Sequence, residues 1–375
     1  MNRVSNKTSK HDIRSIARLF HISGDFREAM PYGTGHINDT YAAVFDQSGR
    51  PMRYILQRIN HHVFKDPPAV MENITRVTAH VRRILEETQA TEVSRRVLTL
   101  VRTVDGQTWT KDAAGNHWRC YLFIEKAKSH DQIESAQQAF QAAKAFGAFQ
   151  KLLADMPAPR LLDTIPNFHH TRERFDTLRA AIQEDVCNRA ADVKSEIKFC
   201  MEREEMVDVL LGLQTCGLLP ERVTHNDTKL NNVMIDDATG EGICVIDLDT
   251  VMPGLALYDF GDLCRSGTRP TLEDERDLSR VEMRQDLFEA IVNGYLDSAR
   301  DVLNGTEKDH LSFSAKLITF EIGIRFLTDH LQGDRYFKTH RESHNADRAR
   351  VQLKMVESFE RNEKAMQRLV QRACG

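Results

Sequence analysis

No stretch of the 375-residue sequence approaches the ~18 consecutive apolar residues that a membrane-spanning helix needs. No apolar segment follows the N-terminal methionine, which weighs against a secretory signal. The first residues are basic and poor in acids (Arg3, Lys7, Lys10, Arg14 and Arg18 against Asp12). A polar tail before a first amphipathic helix has that composition, and so does a mitochondrial presequence; the tail, in a cytoplasmic protein, is the simpler expectation. Cys-x-x-Cys and His-Glu-x-x-His are absent, and the seven cysteines (Cys120, Cys187, Cys200, Cys216, Cys244, Cys264, Cys374) are odd in number and scattered. That excludes a disulfide frame and a zinc site in favour of buried free thiols in a reducing compartment. The histidine pairs His61-His62 and His169-His170 cannot chelate a metal by themselves. G-x-x-x-x-G-K-[ST] is missing, which argues against a P-loop mechanism. Charge of one sign is lacking too: 51 Lys and Arg stand against 55 Asp and Glu. A general basic field for nucleic acid is therefore excluded, although a local cluster could still hold a small acidic substrate. With no large exposed apolar face in prospect, a monomer is expected.

What is present changes character near residue 125. Strand-like runs come first: 40–45 and 53–59 around an Asp46-Gln47-Ser48-Gly49 turn, then 97–104, 107–111 and 117–124. Between them, Val70, Ile74, Val77, Val81 and Ile84 recur at helical spacing over 68–87. The expectation is a five-stranded antiparallel sheet with one inserted helix. Beyond residue 128, amphipathic patterns predict helices at 135–155, 172–185, 191–216, 283–303, 313–331 and 346–372, interrupted by one β-rich stretch at 231–250. This reads as α+β with two lobes: a small antiparallel β-rich N-lobe over 1–124 and a larger, mostly helical C-lobe over 125–375. A Rossmann sheet would need strand–helix alternation throughout.

The chemistry-bearing segment is Thr224-His225-Asn226-Asp227-Thr228-Lys229-Leu230-Asn231-Asn232, followed by a hairpin that ends Ile246-Asp247-Leu248-Asp249. If the hairpin is centred between Thr239 and Gly240, Asn232 and Asp247 fall opposite one another, at the ~4.5–5.5 Å Cβ separation of cross-strand neighbours. An amide oxygen and a carboxylate so placed can share a hard cation such as Mg²⁺. Asp227 lies in the loop before the hairpin and can face the same space. Phosphoryl transfer asks for such a set: one carboxylate to orient and deprotonate the attacking hydroxyl, and an Asn with a second carboxylate to hold metal against the phosphates. The spacing His-x-Asp-x-x-x-x-Asn, with an Asp at the end of the next strand, matches the kinase catalytic loop.

A second signal is Pro31-Tyr32-Gly33-Thr34-Gly35-His36-Ile37-Asn38 ahead of the first predicted strand. Two glycines allow backbone N–H groups to approach phosphate oxygens. Gly-x-Gly is also common in ordinary hairpins, and the third glycine of the nucleotide fingerprint is missing.

Together these residues resemble the aminoglycoside phosphotransferase and choline kinase superfamily, which shares the protein-kinase fold. The likeness runs from about residue 30 to 340: 32–38, 54–60, 123–125, 224–232, 246–254, 259–262, 325–334 and Tyr336-Phe337. Within the superfamily it is similar to the hexosamine 1-kinase group. The resemblance implies ATP- and Mg²⁺-dependent phosphorylation of the anomeric C1 hydroxyl of an N-acetylhexosamine, GlcNAc or GalNAc. It implies Asp227 as base, and Asn232 and Asp247 as Mg²⁺ ligands. It implies Gly33, Thr34 and Gly35 at the nucleotide phosphates, and Phe123, Ile124 and Glu125 as the hinge whose backbone meets adenine. Sugar contacts are implied for His36, Asp227, Thr250, Arg325 and Tyr336. An exposed ion pair between Glu321 and Arg325, four positions apart, is the plain alternative for Arg325. One departure concerns the third strand, where protein kinases carry a phosphate-binding Lys. Gln57 stands there instead, as in the hexosamine group, and Arg58 faces the other side of the strand. Another small-molecule kinase of the same fold, acting on a different sugar, an amino alcohol or an aminoglycoside, is the competing expectation.

Overall fold

The alternation of apolar residues along the first third of the chain closes into a single antiparallel sheet. The computed structural model describes residues 11–33 and 37–375, so the N-terminal tail up to Lys10 and the predicted loop residues Thr34, Gly35 and His36 lie outside the described residues. The chain divides after Ala127 into two units. In the first, α1 (Ile13–Ala17) precedes β1 (Asp25–Pro31), β2 (Asp39–Gln47) and β3 (Arg50–Ile59). Then come α2 (Pro67–Glu87), α3 (Val93–Arg96), β4 (Thr110–Lys111) and β5 (His117–Leu122). The sheet order is β1-β2-β3-β5-β4. One face follows period two: Tyr41, Ala43, Phe45, Tyr54, Leu56, Trp118 and Cys120 pack on Ile13, Ile16, Ala17 and Phe20. The register Thr40–Gln57–Arg119 puts those three side by side across β2, β3 and β5.

The sheet has the expected five strands but not the expected membership. Asp25–Pro31 is an edge strand that its charges disguised. The predicted strand at 97–104 touches β5 only at separate points, Val101 N to Cys120 O and Leu122 N to Thr99 O, each 2.9 Å, and forms no continuous ladder.

A short strand, β6 (Ala127–Lys128), falls at the division. The second unit contains α4 (Ala136–Leu152), α5 (Thr171–Glu184), α6 (Lys194–Met201), α7 (Val209–Thr215), β7 (Arg222–Thr224), β8 (Val233–Asp236), β9 (Gly242–Val245) and β10 (Met252–Gly254). It ends with α8 (Ala256–Gly267), α9 (Gln285–Ala299), α10 (Gly305–Asp309), α11 (Leu311–Leu331) and α12 (His344–Cys374). The single helix expected over 191–216 is broken into α6 and α7 with 3-10 turns beside them. Tertiary contacts to α5 cause the break: Arg172 Nη1 and Arg179 Nη2 take Glu204 at 2.8 and 2.6 Å, and Thr171 Oγ1 donates to Val207 O at 2.5 Å. α11 is not amphipathic as expected. Seventeen of its 21 residues are buried, which makes it the central helix, packed with α5 and α12 around Phe175, Phe320, Ile324 and Val356. Of the cysteines, Cys120, Cys200, Cys244 and Cys264 are buried, whereas Cys216 is exposed and Cys187 and Cys374 are intermediate. Among the described residues no helix is long and apolar enough to cross a membrane.

Candidate active site

Asp227 follows β7, which pairs antiparallel with β10 (Thr224 with Met252, Arg222 with Gly254). Gly254 makes the approach possible, because a Cβ there would lie 2.4 Å from Thr224 Oγ1 and 3.0 Å from Asn226 Oδ1. Asn226 turns the loop through a left-handed backbone (φ 64), a conformation that Asn tolerates better than other side chains. Every polar atom of Asn226 is engaged. Its N–H donates to Asp259 Oδ1 at 2.7 Å, Oδ1 accepts from Thr224 Oγ1 at 3.0 Å, Nδ2 donates to Thr250 O at 2.9 Å, and its carbonyl lies 3.1 Å from His169 Nε2. Asp259 also accepts His225 N–H at 2.9 Å, so a single buried carboxylate on α8 clamps two successive amides just ahead of Asp227. Burial pushes Asp259 up to about 6, against the downward pull of His225 and these two N–H groups. His225 reaches Ile246 O through Nε2 at 2.9 Å, and its Nδ1 accepts Asp227 N–H at 3.3 Å.

Asp227 is half-buried. Burial raises its carboxyl, but the Lys229 ammonium, 2.9 Å from Oδ2, outweighs this and, with His225 and Arg265, holds it below the usual carboxylate range. Lys229 is raised in return, first by Asp227 and then also by Asp247 and Asp262. Asn232 Nδ2 donates to Asp227 O at 2.8 Å and to Asp227 Oδ2 at 3.2 Å.

The register expected of the hairpin is corrected. Asp236 Oδ1 accepts Ala238 N, Thr239 N and Thr239 Oγ1 at 2.8–3.0 Å. This Asx-type turn closes Asp236 N on Glu241 O earlier than a turn centred between Thr239 and Gly240 would. A bulge leaves Ile243 unpaired between Met234–Cys244 and Ile235–Gly242, and Val233 then faces Val245. Asn232 therefore pairs through its carbonyl with Ile246 N at 2.9 Å, and Asp247 lies one residue further on. There the backbone turns left-handed (φ 60). Asp227, Lys229 and Asn232 form one cluster all the same, and Asp247 adds to the negative charge that Lys229 feels.

The remaining candidates occupy several places. Thr250 Oγ1 donates to His225 O at 2.7 Å and so braces the loop. Arg325 is nearly buried rather than in an exposed ion pair: Nη1 lies 3.8 Å from the fully buried Glu321, and its guanidinium sits 5.2 Å from the Phe168 ring and 5.8 Å from both the Tyr336 and Phe337 rings. Tyr336 is exposed, but its loop is fixed because Asp329 accepts the N–H groups of Arg335, Tyr336 and Phe337 at 2.8–2.9 Å.

In the first unit, Gly33 has φ 81, a turn that needs glycine. Gln57 Oε1 accepts Arg119 Nε and Nη2 at 2.9 and 2.6 Å, and Gln57 Nε2 donates to Thr40 Oγ1 at 2.9 Å. Arg58 turns to Asp39 at 2.6 Å. Phe123 and Ile124 are buried, and Phe123 lies under the Arg53 guanidinium at 3.8 Å. Glu125 pairs with Arg53 and offers its carbonyl to Arg95 Nε at 3.1 Å.

Sequence reasoning passed over Lys229, Asp259, Asp329 and Arg119. A buried arginine within the apolar run Trp118-Arg119-Cys120-Tyr121 was a usable signal, as was an acid in the short run Asp259-Phe260-Gly261-Asp262.

An antiparallel sheet unit, a helical unit and a clamped Asp227–Lys229–Asn232 loop define a kinase-like phosphotransferase. A model of the phosphotransferase enzyme family matches residues 28–290, and the chain belongs to that family. Its fold is shared with several solved small-molecule kinases. An aminoglycoside phosphotransferase from Alicyclobacillus acidocaldarius superposes with a TM-score of 0.61 at 12% identity, covering 99% of this chain and 100% of that one. A microcompartment-associated aminopropanol kinase gives 0.55 at 15% identity, covering 94% and 98%. A spectinomycin phosphotransferase in complex with ADP and spectinomycin gives 0.53 at 12% identity, covering 96% and 97%.

Proposed function

We propose that the protein transfers the γ-phosphoryl group of ATP to the anomeric hydroxyl of an N-acetylhexosamine, GlcNAc or GalNAc, giving the sugar 1-phosphate and ADP. Nucleotide binding is assigned to the first unit, through Gly33 and its neighbours, Gln57 and the 123–125 backbone. In the second unit Asp227 orients the C1 hydroxyl and takes its proton as the O1–P bond forms and the bond from phosphorus to the ADP oxygen breaks. An anomeric hydroxyl is more acidic than an ordinary sugar alcohol, so a carboxylate held below its usual range by Lys229 is a sufficient base. Lys229 brings a fixed positive charge to the place where charge shifts. Asn232 and Asp247 suit a hard cation. The Asn232 amide N–H₂ is spent on Asp227, which leaves Oδ1 to serve as an oxygen ligand, and the Asp247 carboxylate would be the second. Mg²⁺ held there would neutralise phosphate charge.

The observation that carries the acceptor class is Arg325. A nearly buried guanidinium seated among Phe168, Tyr336 and Phe337 repels a cationic acceptor and suits neutral hydroxyl and acetamide groups. A second reading has one observation in its favour: Asp262 Oδ2 is buried and unpartnered, which would suit an amino alcohol or aminoglycoside. ADP release from Mg·ATP, measured over a panel of 2-acetamido sugars, deacetylated sugars and amino alcohols, separates the two. Turnover of the 2-acetamido sugars is expected; turnover of the amino alcohols alone would replace this reading with the second.

A further inference from the structure

His169, one of two adjacent histidines, lies in the loop before α5 and is absorbed neither by the family motifs nor by the chemistry above. Its side chain is 3% exposed and that of its partner Glu321 is fully buried. Nδ1 lies 2.8 Å from Glu321 Oε1 and Nε2 lies 3.1 Å from Asn226 O. A backbone carbonyl only accepts, so Nε2 must donate. An ionised Glu321 only accepts as well, so Nδ1 must donate, and a ring that donates from both nitrogens is an imidazolium. We propose that His169 is a positioning residue that works as a buried imidazolium, tying the catalytic loop to the part of α11 that carries Arg325.

The tie acts at a sensitive place. Asn226 immediately precedes Asp227 and is held in a left-handed conformation, which a non-glycine residue keeps only where its surroundings fix it. Three of its polar atoms are engaged by Asp259, Thr224 and Thr250; the fourth, its carbonyl, is engaged by His169. On α11, Glu321 connects the same imidazolium to Arg325, so acceptor contacts at Arg325 and the direction of Asp227 are joined through two hydrogen bonds and one ion pair.

The groups facing the ring agree with a cation. Burial opposes the charge, but Glu321 outweighs it, Asp262 and Asp259 on α8 add to it, and Arg325 is the opposing cation. The ring is flanked by Phe168 and Tyr258, at 4.7 and 5.1 Å between centroids. The folded state therefore holds this proton more tightly than the unfolded chain. The stabilisation is complete below the ordinary histidine range and is lost as pH rises through the raised folded value.

The inference rests on the phosphotransfer reading of Asp227 and is independent of which acceptor is used. Its test combines ring NMR with kinetics. In ¹⁵N-histidine-labelled wild type at pH 7.5, the His169 ring, assigned by difference from His169→Gln, should show both nitrogens protonated; a neutral ring would overturn the proposal. Glu321→Gln keeps an acceptor for Nδ1 and removes the charge, so His169 should deprotonate at least one pH unit lower. Above that midpoint kcat should fall at least tenfold, while KM for ATP stays unchanged. Below it, kcat should recover. A Glu321→Gln enzyme whose kcat ignores the titration of the ring would also overturn the proposal. A wild type without any phosphoryl transfer would refute the phosphotransfer reading alone, since the ring spectra decide the imidazolium either way.

Discussion

Asp227 and Asn232 could be found from spacing because they sit at the two ends of one short loop, and five positions fix how they meet. Lys229, between them, reads in sequence as one more solvated lysine; only the 2.9 Å contact with Asp227 shows that it holds that carboxylate in its charged form. Asp259 acts on His225 from 34 positions downstream, a separation across which residue types carry no geometric information. Asp227→Asn should lower kcat by about 10²–10⁴-fold, the usual worth of a general base, with the thermal midpoint nearly unchanged; steady-state kinetics and calorimetry check both, and an active variant removes Asp227 from the role. Asp259→Asn keeps the shape but can offer only one acceptor where two N–H groups need one each, so kcat should fall about 10–100-fold. The wild-type enzyme should lose kcat as pH falls through about 6, where Asp259 takes up a proton and its clamp loses its charge. Because the folded value lies above the ordinary one, the charged carboxylate is a stability cost that grows as pH rises from about 4 to 6. A kcat–pH profile of Asp259→Asn that kept the acid limb near 6 would assign that limb to another group.

Secondary-structure elements were legible where one face is apolar and the other wet. The periodicity of α2 and the alternation of β2, β3 and β5 marked them in sequence. Elements whose burial is uniform or absent carry no such pattern. α8 is buried nearly all round despite two aspartates and an arginine, because each acid is held by backbone N–H groups or by Arg265. β1 is mostly exposed and shows no apolar alternation. The hairpin carrying Asn232 and Asp247 was placed correctly and paired one residue out, since the Asx-type turn at Asp236 and the bulge at Ile243 are local choices that apolar pattern does not encode. The β7–β10 pair is the element most exposed to a single change. Gly254→Ala drives a Cβ against Thr224 and Asn226, an overpacking worth ~1–3 kcal/mol, so the thermal midpoint should drop by about 2–10 °C. Asn226 would move with it, so kcat should fall while KM for ATP holds. A variant with wild-type stability and turnover would show that this approach is not tight.

At the scale of the whole molecule, composition was informative about chemistry that is missing. It pointed away from a disulfide frame, and all seven cysteines are free. It overstated their burial. Native protein treated with an aromatic disulfide reagent should release one equivalent quickly, from Cys216, and further equivalents slowly from Cys187 and Cys374. Cys120, Cys200, Cys244 and Cys264 should react only on unfolding, because burial both blocks them and pushes their thiols up, for Cys200 and Cys244 to about 12. Rapid reaction of five or more thiols in the native state would contradict this packing.

The proposed acceptor site was the least legible part, because Phe168, Arg325, Tyr336 and Phe337 come from two distant segments and meet only in the folded chain. The most direct measurement is ³¹P NMR of the wild type and Asp227→Asn incubated with Mg·ATP and either GlcNAc or GalNAc. The expected result is a phosphate signal coupled to the anomeric proton, growing with the wild type and lacking with the variant. Phosphate appearing on another hydroxyl, or growing equally with Asp227→Asn, would contradict the assignment of Asp227 as the base of a sugar 1-kinase.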